Sequence, residues 1–165
     1  MSDSPLSETA TDAVEALLDE VTAEPQPQPL LQAENLSGKV AIVSGGSSGI
    51  GRAVALELAR CGTHVAFCYL DVGDESRREA EEVASELRQM EVPVFFRSCD
   101  VRESSEVGSF VAETDEELGG IDVLVNNAGI GRDSPMWRMT DHDWEAVIRT
   151  NLDGAFYFTR AVAPF

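Results

Sequence analysis

From Ser37 onward, short apolar runs alternate with longer segments in which apolar residues recur every three or four positions. The short runs predict β-strands, and the longer periodic segments predict α-helices. Strands are expected at residues 40–43, 64–69, 94–99 and 121–126, with helices between them and a last helix capped by Thr140. Because such strands are joined by right-handed crossovers, the pattern predicts an α/β doubly wound fold around a parallel sheet.

The same periodicity predicts an apolar stripe along each helix. The first helix is expected to bury Ile50, Val54 and Leu58. Three further apolar stripes are expected on the helices that follow: Ala80, Val83, Ala84 and Leu87; Val107, Phe110, Val111 and Leu118; and Trp144, Val147, Ile148, Leu152 and Phe156.

A glycine-rich turn follows the first predicted strand and leads into the first helix. Its glycines fall at Gly45, Gly49 and Gly51, which differs from the common Gly-x-Gly-x-x-Gly dinucleotide fingerprint. A strand, tight turn and helix leave backbone N–H groups unpaired at the positive end of the helix dipole, so the turn is a candidate phosphate site. Glycines allow the phosphate to approach, because a Cβ would block the turn or the ligand. A plain connecting turn is the alternative.

Polar and small residues follow the third and fourth predicted strands. In a parallel sheet of this kind, ligands lie beyond the carboxyl ends of the strands. Asp100 and Val101 follow strand three, where an aspartate can bind an adenine amino group while its apolar neighbour packs on the ring. Ala128 and Gly129 follow strand four and are small enough for a ribose to approach. The alternatives are that Asp100 caps a helix and that residues 126–127 only form a turn.

Taken together, residues 37–165 resemble the short-chain dehydrogenase/reductase family. The resemblance implies a Rossmann-like domain that binds NADP(H), with NAD(H) as the alternative. It rests on the glycine turn, the Asp-Val pair and the sequence Asn-Asn-Ala-Gly at residues 126–129. Asn151 matches the family's helix asparagine, which is thought to hold a water in the proton relay, so it is the one predicted catalytic residue. The predicted cofactor-binding residues are Ser44, Gly45, Ser47, Ser48, Gly49, Ile50, Gly51, Tyr69, Asp71, Asp100, Val101, Asn126, Ala128 and Gly129.

Residues 132–148 resemble the 3-oxoacyl-acyl-carrier-protein reductase branch of this family. This implies an oxidoreductase of fatty acid biosynthesis, which reduces a 3-oxoacyl thioester or a similar ketone with NADPH. An enzyme acting on a sugar or another alcohol is the alternative. The resemblance also implies a dimer or tetramer of identical subunits.

The family's catalytic Ser and Tyr-x-x-x-Lys pair have no counterpart in the sequence. Tyr69 and Tyr157 are followed four residues later by Gly73 and Ala161, and Lys39 is the sole lysine. The reaction needs a tyrosine whose pKa is lowered by a neighbouring ammonium. We therefore expect the 165-residue chain to be the N-terminal portion of a reductase and to be inactive alone. The resemblance implies that the sheet is truncated after strand four and the helix that follows, which would leave the outer side of strand four and the apolar face of the last helix uncovered. The alternative is a shortened, non-catalytic protein that binds a nucleotide or pairs with full-length subunits.

Side chains near the end of strand two decide between NAD(H) and NADP(H). A carboxylate there accepts a hydrogen bond from the ribose 2′-hydroxyl, whereas an arginine attracts a 2′-phosphate. Tyr69 occupies the position itself. Asp71 would favour NAD(H), while Arg52, Arg77 or Arg78 would favour NADP(H). The resemblance to the reductase branch favours NADP(H).

Charge and composition restrict the partners. A formal net charge of −18 argues against binding to nucleic acid or to an anionic membrane surface. The three cysteines, at positions 61, 68 and 99, suit small buried residues in a reducing cytosol better than a disulfide framework. The spacing of the histidines predicts no metal site. No apolar run is long enough to span a bilayer, and the N-terminal residues lack the basic and apolar regions of a signal peptide. A soluble, cytoplasmic protein is expected.

Residues 1–36 differ in character from the rest of the chain. They carry eight acidic residues, no basic ones and a run of alternating prolines. This composition predicts a disordered acidic arm followed by an extended linker. The alternative is a helix over residues 7–22, whose apolar stripe of Val14, Leu17, Leu18 and Val21 docks on a partner or a neighbouring subunit.

Overall fold

A computed structural model describes residues 36–165. The predicted acidic arm therefore lies, apart from Leu36, outside the described residues. Four parallel strands form one sheet in the order β3-β2-β1-β4. Their bounds are β1 Val40–Ser44, β2 His64–Tyr69, β3 Val94–Ser98 and β4 Val123–Val125. The predicted α/β doubly wound, Rossmann-like fold is confirmed, and the strand order reverses between β1 and β4.

Helices connect and follow the strands. Their bounds are α1 Gly49–Arg60, α2 Asp74–Arg88, α3 Ser104–Leu118, α4 Asp141–Ile148 and α5 Gly154–Val162, with a 3₁₀ turn at Met136–Arg138 and a π-helical segment at Arg149–Asp153. The predicted cap of α4 is confirmed, since the Thr140 side chain accepts a hydrogen bond from the Asp143 amide at 3.1 Å. Within residues 36–165, no helix is both long enough and apolar enough to cross a bilayer.

The two faces of the sheet bury two separate apolar clusters. Successive strand residues point to opposite faces, so Val43 and Phe67 pack with α1 and α2, while Ile42 and Ala66 pack with α3 and α5. The predicted stripes of the middle helices are confirmed, although Leu118 is only partly buried. The residues that α2 and α3 bury are Ala80, Val83, Ala84 and Leu87, and Val107, Phe110, Val111 and Thr114.

The predicted core face of α1 is wrong at Ile50, whose side chain is 78% exposed. Val54 and Leu58 pack only partly against the core. The face against the sheet consists mainly of small residues: Gly51, Ala55, Leu56 and Ala59. Small side chains allow the helix to approach the sheet closely, which a rule based on the largest apolar residues does not detect.

The apolar stripe of the last helical segments is largely uncovered, as expected. Trp144, Leu152 and Phe156 are more than half exposed, at 54%, 61% and 54%. The buried residues are instead Thr150, Gly154 and Phe158. The π-helical segment changes the rotation per residue between α4 and α5, so a stripe counted at a constant helical period across it loses its phase. Gly154 is required where α5 crosses Val101, because a Cβ there would lie 2.9 Å from the valine Cγ2.

Candidate functional site

A cleft of about 570 Å³ lies at the carboxyl ends of the strands. The glycine turn, the end of β2, the residues after β3 and the residues after β4 all line it. It therefore brings together segments that are far apart in the sequence. The predicted site residues that line it are Gly45, Ser47, Ser48, Ile50, Tyr69, Asp100, Val101, Ala128 and Gly129.

Five further predicted cofactor residues lie beside the cleft without lining it. Ser44 and Gly51 are buried beneath the glycine turn, and Gly49 is exposed on it. Asp71 is held by Arg77, and the Asn126 side chain donates to the Thr159 hydroxyl at 3.2 Å. The amide that reaches the cleft after β4 is that of the next residue, Asn127.

Ser44 and Asn127 join the glycine turn to the segment after β4. The Ser44 hydroxyl accepts hydrogen bonds from the backbone amides of Asn127 and Ala128, at 3.0 and 3.1 Å. In return, the Asn127 side-chain amide donates to the carbonyls of Ser44 and Gly45, at 2.9 and 3.0 Å. Ser44 is 2% exposed, so these bonds form away from bulk water. They hold the two walls of the cleft in a fixed relation.

Close backbone contacts explain why the turn needs glycine. A Cβ on Gly51 would lie 2.2 Å from the Gly45 carbonyl oxygen and 2.4 Å from the Asn127 side-chain nitrogen. A Cβ on Gly46 would lie 2.5 Å from that of Phe67. Gly45 has a φ of +67°, which favours glycine for its backbone conformation as well. One side of the turn is therefore packed against Phe67 and Asn127, whereas a Cβ on Gly49 would meet nothing within 4 Å.

The N-terminus of α1 lies at the cleft, which Ser48 and Ile50 line. Its first intrahelical hydrogen bond runs from the Arg52 amide to the Ser48 carbonyl at 3.1 Å, so the amides of residues 49–51 precede that bond. Ser48 occupies the N-cap position, and its side chain makes no capping hydrogen bond. Amides in this position at the positive end of a helix suit a phosphate group. The turn therefore fits the diphosphate of a dinucleotide.

Asp100 lies at the edge of the cleft after β3. Its carboxylate accepts hydrogen bonds from the Arg102 backbone amide at 3.0 Å and from the Arg102 guanidinium at 2.5–3.1 Å. The guanidinium holds the pKa of Asp100 below its usual value. The N-cap of α3 is Glu103, so Asp100 does not cap that helix. Val101 is buried beside it and faces the cleft.

The end of β2 places Tyr69 in the cleft and Asp71 outside it. Burial raises the pKa of the Tyr69 hydroxyl, and the Asp71 carboxylate raises it further. Asp71 itself accepts from the Arg77 guanidinium at 2.9 Å and from the Gly73 amide at 3.1 Å. The hydrogen bond from Arg77 lowers the pKa of Asp71, so this carboxylate is ionised at neutral pH.

Asn151 lies in the π-helical segment and contacts the loop after β4. Its side-chain oxygen accepts from the Ile130 amide at 2.9 Å, and its nitrogen donates to the Ile130 carbonyl at 3.1 Å. A Cβ on Gly129 would lie 3.3 Å from the same oxygen. In this structure Asn151 therefore positions the loop, while its predicted part in a proton relay stays a prediction.

The cleft also contains residues that the sequence analysis did not assign to cofactor binding. Asn127 lies inside the matched Asn-Asn-Ala-Gly motif, so the motif could have identified it from the sequence. Glu79 and Ser76 come from α2, and no motif marks them. Cys99 also lines the cleft; it is buried, and a hydrogen bond with Cys68 together with burial raises the pKa of its thiol.

Comparisons with known proteins agree with this geometry. A 3-oxoacyl-acyl-carrier-protein reductase of Staphylococcus aureus is 40% identical over 126 residues, which are 76% of this chain and 50% of that protein. The reductase of the same name from Thermotoga maritima is 37% identical over 130 residues, covering 79% and 51%. The chain thus spans about half the length of the curated relatives it matches.

Two solved structures show the same fold. A blue fluorescent protein from a metagenomic library, in complex with NADPH, is 35% identical with a TM-score of 0.74, covering 79% of this chain and 52% of that one. A short-chain dehydrogenase/reductase of Brucella melitensis, described as a glucose/ribitol dehydrogenase, is 31% identical with a TM-score of 0.71, covering 78% and 52%. The sequence model of the short chain dehydrogenases matches residues 39–165. The chain therefore belongs to the short-chain dehydrogenase family, whose members are oxidoreductases.

Proposed function

We propose that the cleft binds a nicotinamide dinucleotide and that the whole protein is an oxidoreductase acting on a 3-oxoacyl thioester or a similar ketone. One observation carries the proposal. The glycine turn, the Asp100–Val101 pair and the Ala128–Gly129 pair line a single cleft, at the carboxyl ends of β1, β3 and β4 of one parallel sheet. This is the place where a doubly wound sheet binds its ligand.

Each wall of the cleft has a role in this proposal. The amides at the start of α1 bind the diphosphate, since they carry the positive end of the helix dipole. Val101 packs on the adenine, and Asp100 lies beside the adenine amino group. Ala128 and Gly129 leave room for the ribose because neither has a long side chain. Asn127 and Ser44 position these walls through the hydrogen bonds that hold the glycine turn against the loop after β4.

The names of the curated relatives support the reaction. Two of them are 3-oxoacyl-acyl-carrier-protein reductases, and the NADPH-bound neighbour shows that a protein of this fold binds a reduced nicotinamide cofactor. When bound, the cofactor supplies the hydride. The protein's part is to orient it, and Asn151 contributes by fixing the Ile130 backbone next to the cleft. The expectation that these 165 residues alone do not turn over a ketone stays a prediction.

Pairing of identical subunits is part of the same proposal. Trp144, Leu152 and Phe156 are more than half exposed on the last helical segments. An exposed apolar stripe of this kind favours contact with another protein surface.

A charge change at the glycine turn tests cofactor binding. Aspartate is a favourable N-cap residue, so Ser48→Asp leaves α1 stable while placing a negative charge where the diphosphate would bind. We expect at least a tenfold loss of affinity for both NADH and NADPH, measured by fluorescence titration. Ser105→Asp adds the same charge to the first turn of α3, outside the cleft, and serves as the control. Unchanged affinity in Ser48→Asp would refute the proposed site.

The reaction needs a separate test. The DNA that follows the codon for Phe165 is read for an in-frame Tyr-x-x-x-Lys motif, and the longer product is assayed with a 3-oxoacyl thioester. Turnover in that product supports the oxidoreductase. An authentic stop codon directly after Phe165 would instead favour a nucleotide-binding or subunit-pairing protein.

A further inference from the structure

An acidic groove adjoins the cleft between α1 and α2. Its walls include Ser47, Ser48 and Glu79, which also line the cleft, so the two spaces are continuous. Two more glutamates, Glu82 and Glu86, lie farther along the groove, and its basic residue is Arg52. This α1–α2 groove starts from the glycine turn on the α2 side, next to the end of β2. A ligand with an extra phosphate on its ribose would meet this acidic wall.

The arginines that would attract such a phosphate are already paired. One nitrogen of the Arg52 guanidinium donates to both Glu86 oxygens, at 2.6 and 2.7 Å. Arg77 donates to Asp71 at 2.9 Å and to Asp74 at 3.0 Å, and it lines neither space.

Three more arginines near the cleft also lie close to carboxylates. Arg102 is bound by Asp100 through two of its nitrogens. Arg78 lies 3.8 Å from a carboxylate oxygen of Glu82, and Arg132, which lines the cleft beside the residues that follow β4, lies 3.9 Å from one of Asp143. Each of these positive charges therefore has a carboxylate near it before any ligand arrives.

Glu79 differs from all of these residues. It lines both the cleft and the α1–α2 groove, its side chain is exposed, and within residues 36–165 it forms no hydrogen bond or ion pair. A bound 2′-phosphate would bring a charge of about −1.5 to −2 close to this carboxylate. A ribose 2′-hydroxyl brings no charge, and it can donate a hydrogen bond to a carboxylate.

We infer that Glu79 makes the cleft selective for the dinucleotide without a 2′-phosphate, NAD(H), over NADP(H). This inference rests on the proposed function and deepens it. It reverses the preference for NADP(H) that the family resemblance suggested. It also gives Asp71 an indirect part, because Asp71 neutralises Arg77 and does not line the ribose side of the cleft. Glu79 is then the carboxylate that meets the 2′ position of the ribose, whereas Asp100 lies on the adenine side of the cleft.

The test compares ADP-ribose with 2′-phospho-ADP-ribose, which differ only in the group at issue and do not depend on the nicotinamide. Binding of each to the 165-residue chain is measured by isothermal titration calorimetry. We expect ADP-ribose to bind roughly tenfold more tightly. Glu79→Gln, which keeps the size of the side chain, is expected to reduce this ratio at least threefold by improving the binding of the 2′-phospho ligand.

A matched control removes the same charge elsewhere. Glu116→Gln alters an exposed residue of α3, a helix that packs on the other face of the sheet, and is expected to leave the ratio unchanged. A second measurement needs no variant: because the repulsion is between charges, raising the salt concentration reduces the preference for ADP-ribose.

The outcomes separate the two proposals. If 2′-phospho-ADP-ribose binds as tightly as ADP-ribose or more tightly, the inference about Glu79 is overturned while the proposed function stands. An equal change of the ratio in Glu79→Gln and Glu116→Gln would also overturn it. If neither ligand binds, the proposed function fails and this inference fails with it.

Discussion

Replacing Gly51 with alanine tests the packing beneath the glycine turn. Gly51 lies in the first turn of α1 and is buried against the Gly45 carbonyl and the Asn127 side chain. Alanine is normally the better helix residue, so helix propensity alone predicts a gain of up to about 1 kcal/mol. The structure predicts the opposite sign.

The size of the effect follows from the distances. The new Cβ would lie 2.2 Å from a backbone oxygen and 2.4 Å from the Asn127 nitrogen, whereas real Cβ contacts are essentially never shorter than 3.0 Å. The turn or the helix must therefore shift by about 0.8 Å, and the shift strains the hydrogen bonds of Asn127 to the carbonyls of Ser44 and Gly45. Overpacking of this kind costs about 1–3 kcal/mol, and the upper end is expected because the obstructing oxygen belongs to the backbone.

Thermal denaturation followed by circular dichroism measures the change. For a chain of this size, a loss of 2–3 kcal/mol lowers Tm by roughly 5–10 °C. The matched control is Gly108→Ala, another helical glycine, whose Cβ would meet nothing within 4 Å. That variant should be more stable than the parent, by about 0.5–1 kcal/mol. A Gly51→Ala protein at least as stable as the parent would refute the close packing described here.

Three further predictions concern the walls of the cleft. Ser44→Ala leaves two backbone amides of the segment after β4 without their acceptor, so urea denaturation should show a loss of about 1–3 kcal/mol, and a neutral result would contradict the proposed clamp. Arg102 lowers the pKa of Asp100 in the folded state, so this pair stabilises the fold above about pH 4 and loses its effect as the pH falls through the folded pKa. In Asp100→Asn, the free energy of unfolding should therefore fall less on acidification below about pH 4, by a difference of less than about 1 kcal/mol from the parent. An identical fall in both proteins would argue against the pair. Asn151→Ala removes both side-chain bonds to the Ile130 backbone, so hydrogen exchange at the Ile130 amide should accelerate roughly fivefold while α2 is unaffected; equal protection in both proteins would show that Asn151 does not hold the loop.

The elements predicted correctly are those whose signal is local. Two strands and one helix are examples, because the pattern of apolar residues within each element is enough to predict it. They are the strands at residues 40–44 and 64–69 and the buried stripe of α2. The glycine turn was also recognisable, because strand, turn and helix follow one another directly. The parallel strand arrangement then places the strand ends at one edge of the sheet, and that brought Asp100 and Ala128 to the same cleft.

Which face of a helix is buried depends on contacts between distant parts of the chain. Ile50 is a larger apolar residue than Ala55, yet α1 buries Ala55 and Ala59 and leaves Ile50 exposed, because small side chains let the helix approach the sheet closely. Phe156 and Phe158 are equally apolar, and the π-helical segment before them determined which one is buried. The amino-acid composition of the helix therefore does not predict which of the two phenylalanines is buried.

By itself, the sequence determined the order of strands and helices, the glycine turn and the membership of the family, because each depends on neighbouring residues or on a short motif. Only the tertiary structure decided how the charges around the cleft are paired. Arg52 and Glu86 are 34 residues apart, and Asp71 and Arg77 meet across a loop, so folding neutralises arginines that the sequence offers as phosphate ligands. Glu79 is left without a partner: the fold brings it to the cleft, and none of the described residues forms a hydrogen bond or ion pair with it. Coulomb energy depends on distance in space, which sequence separation does not specify.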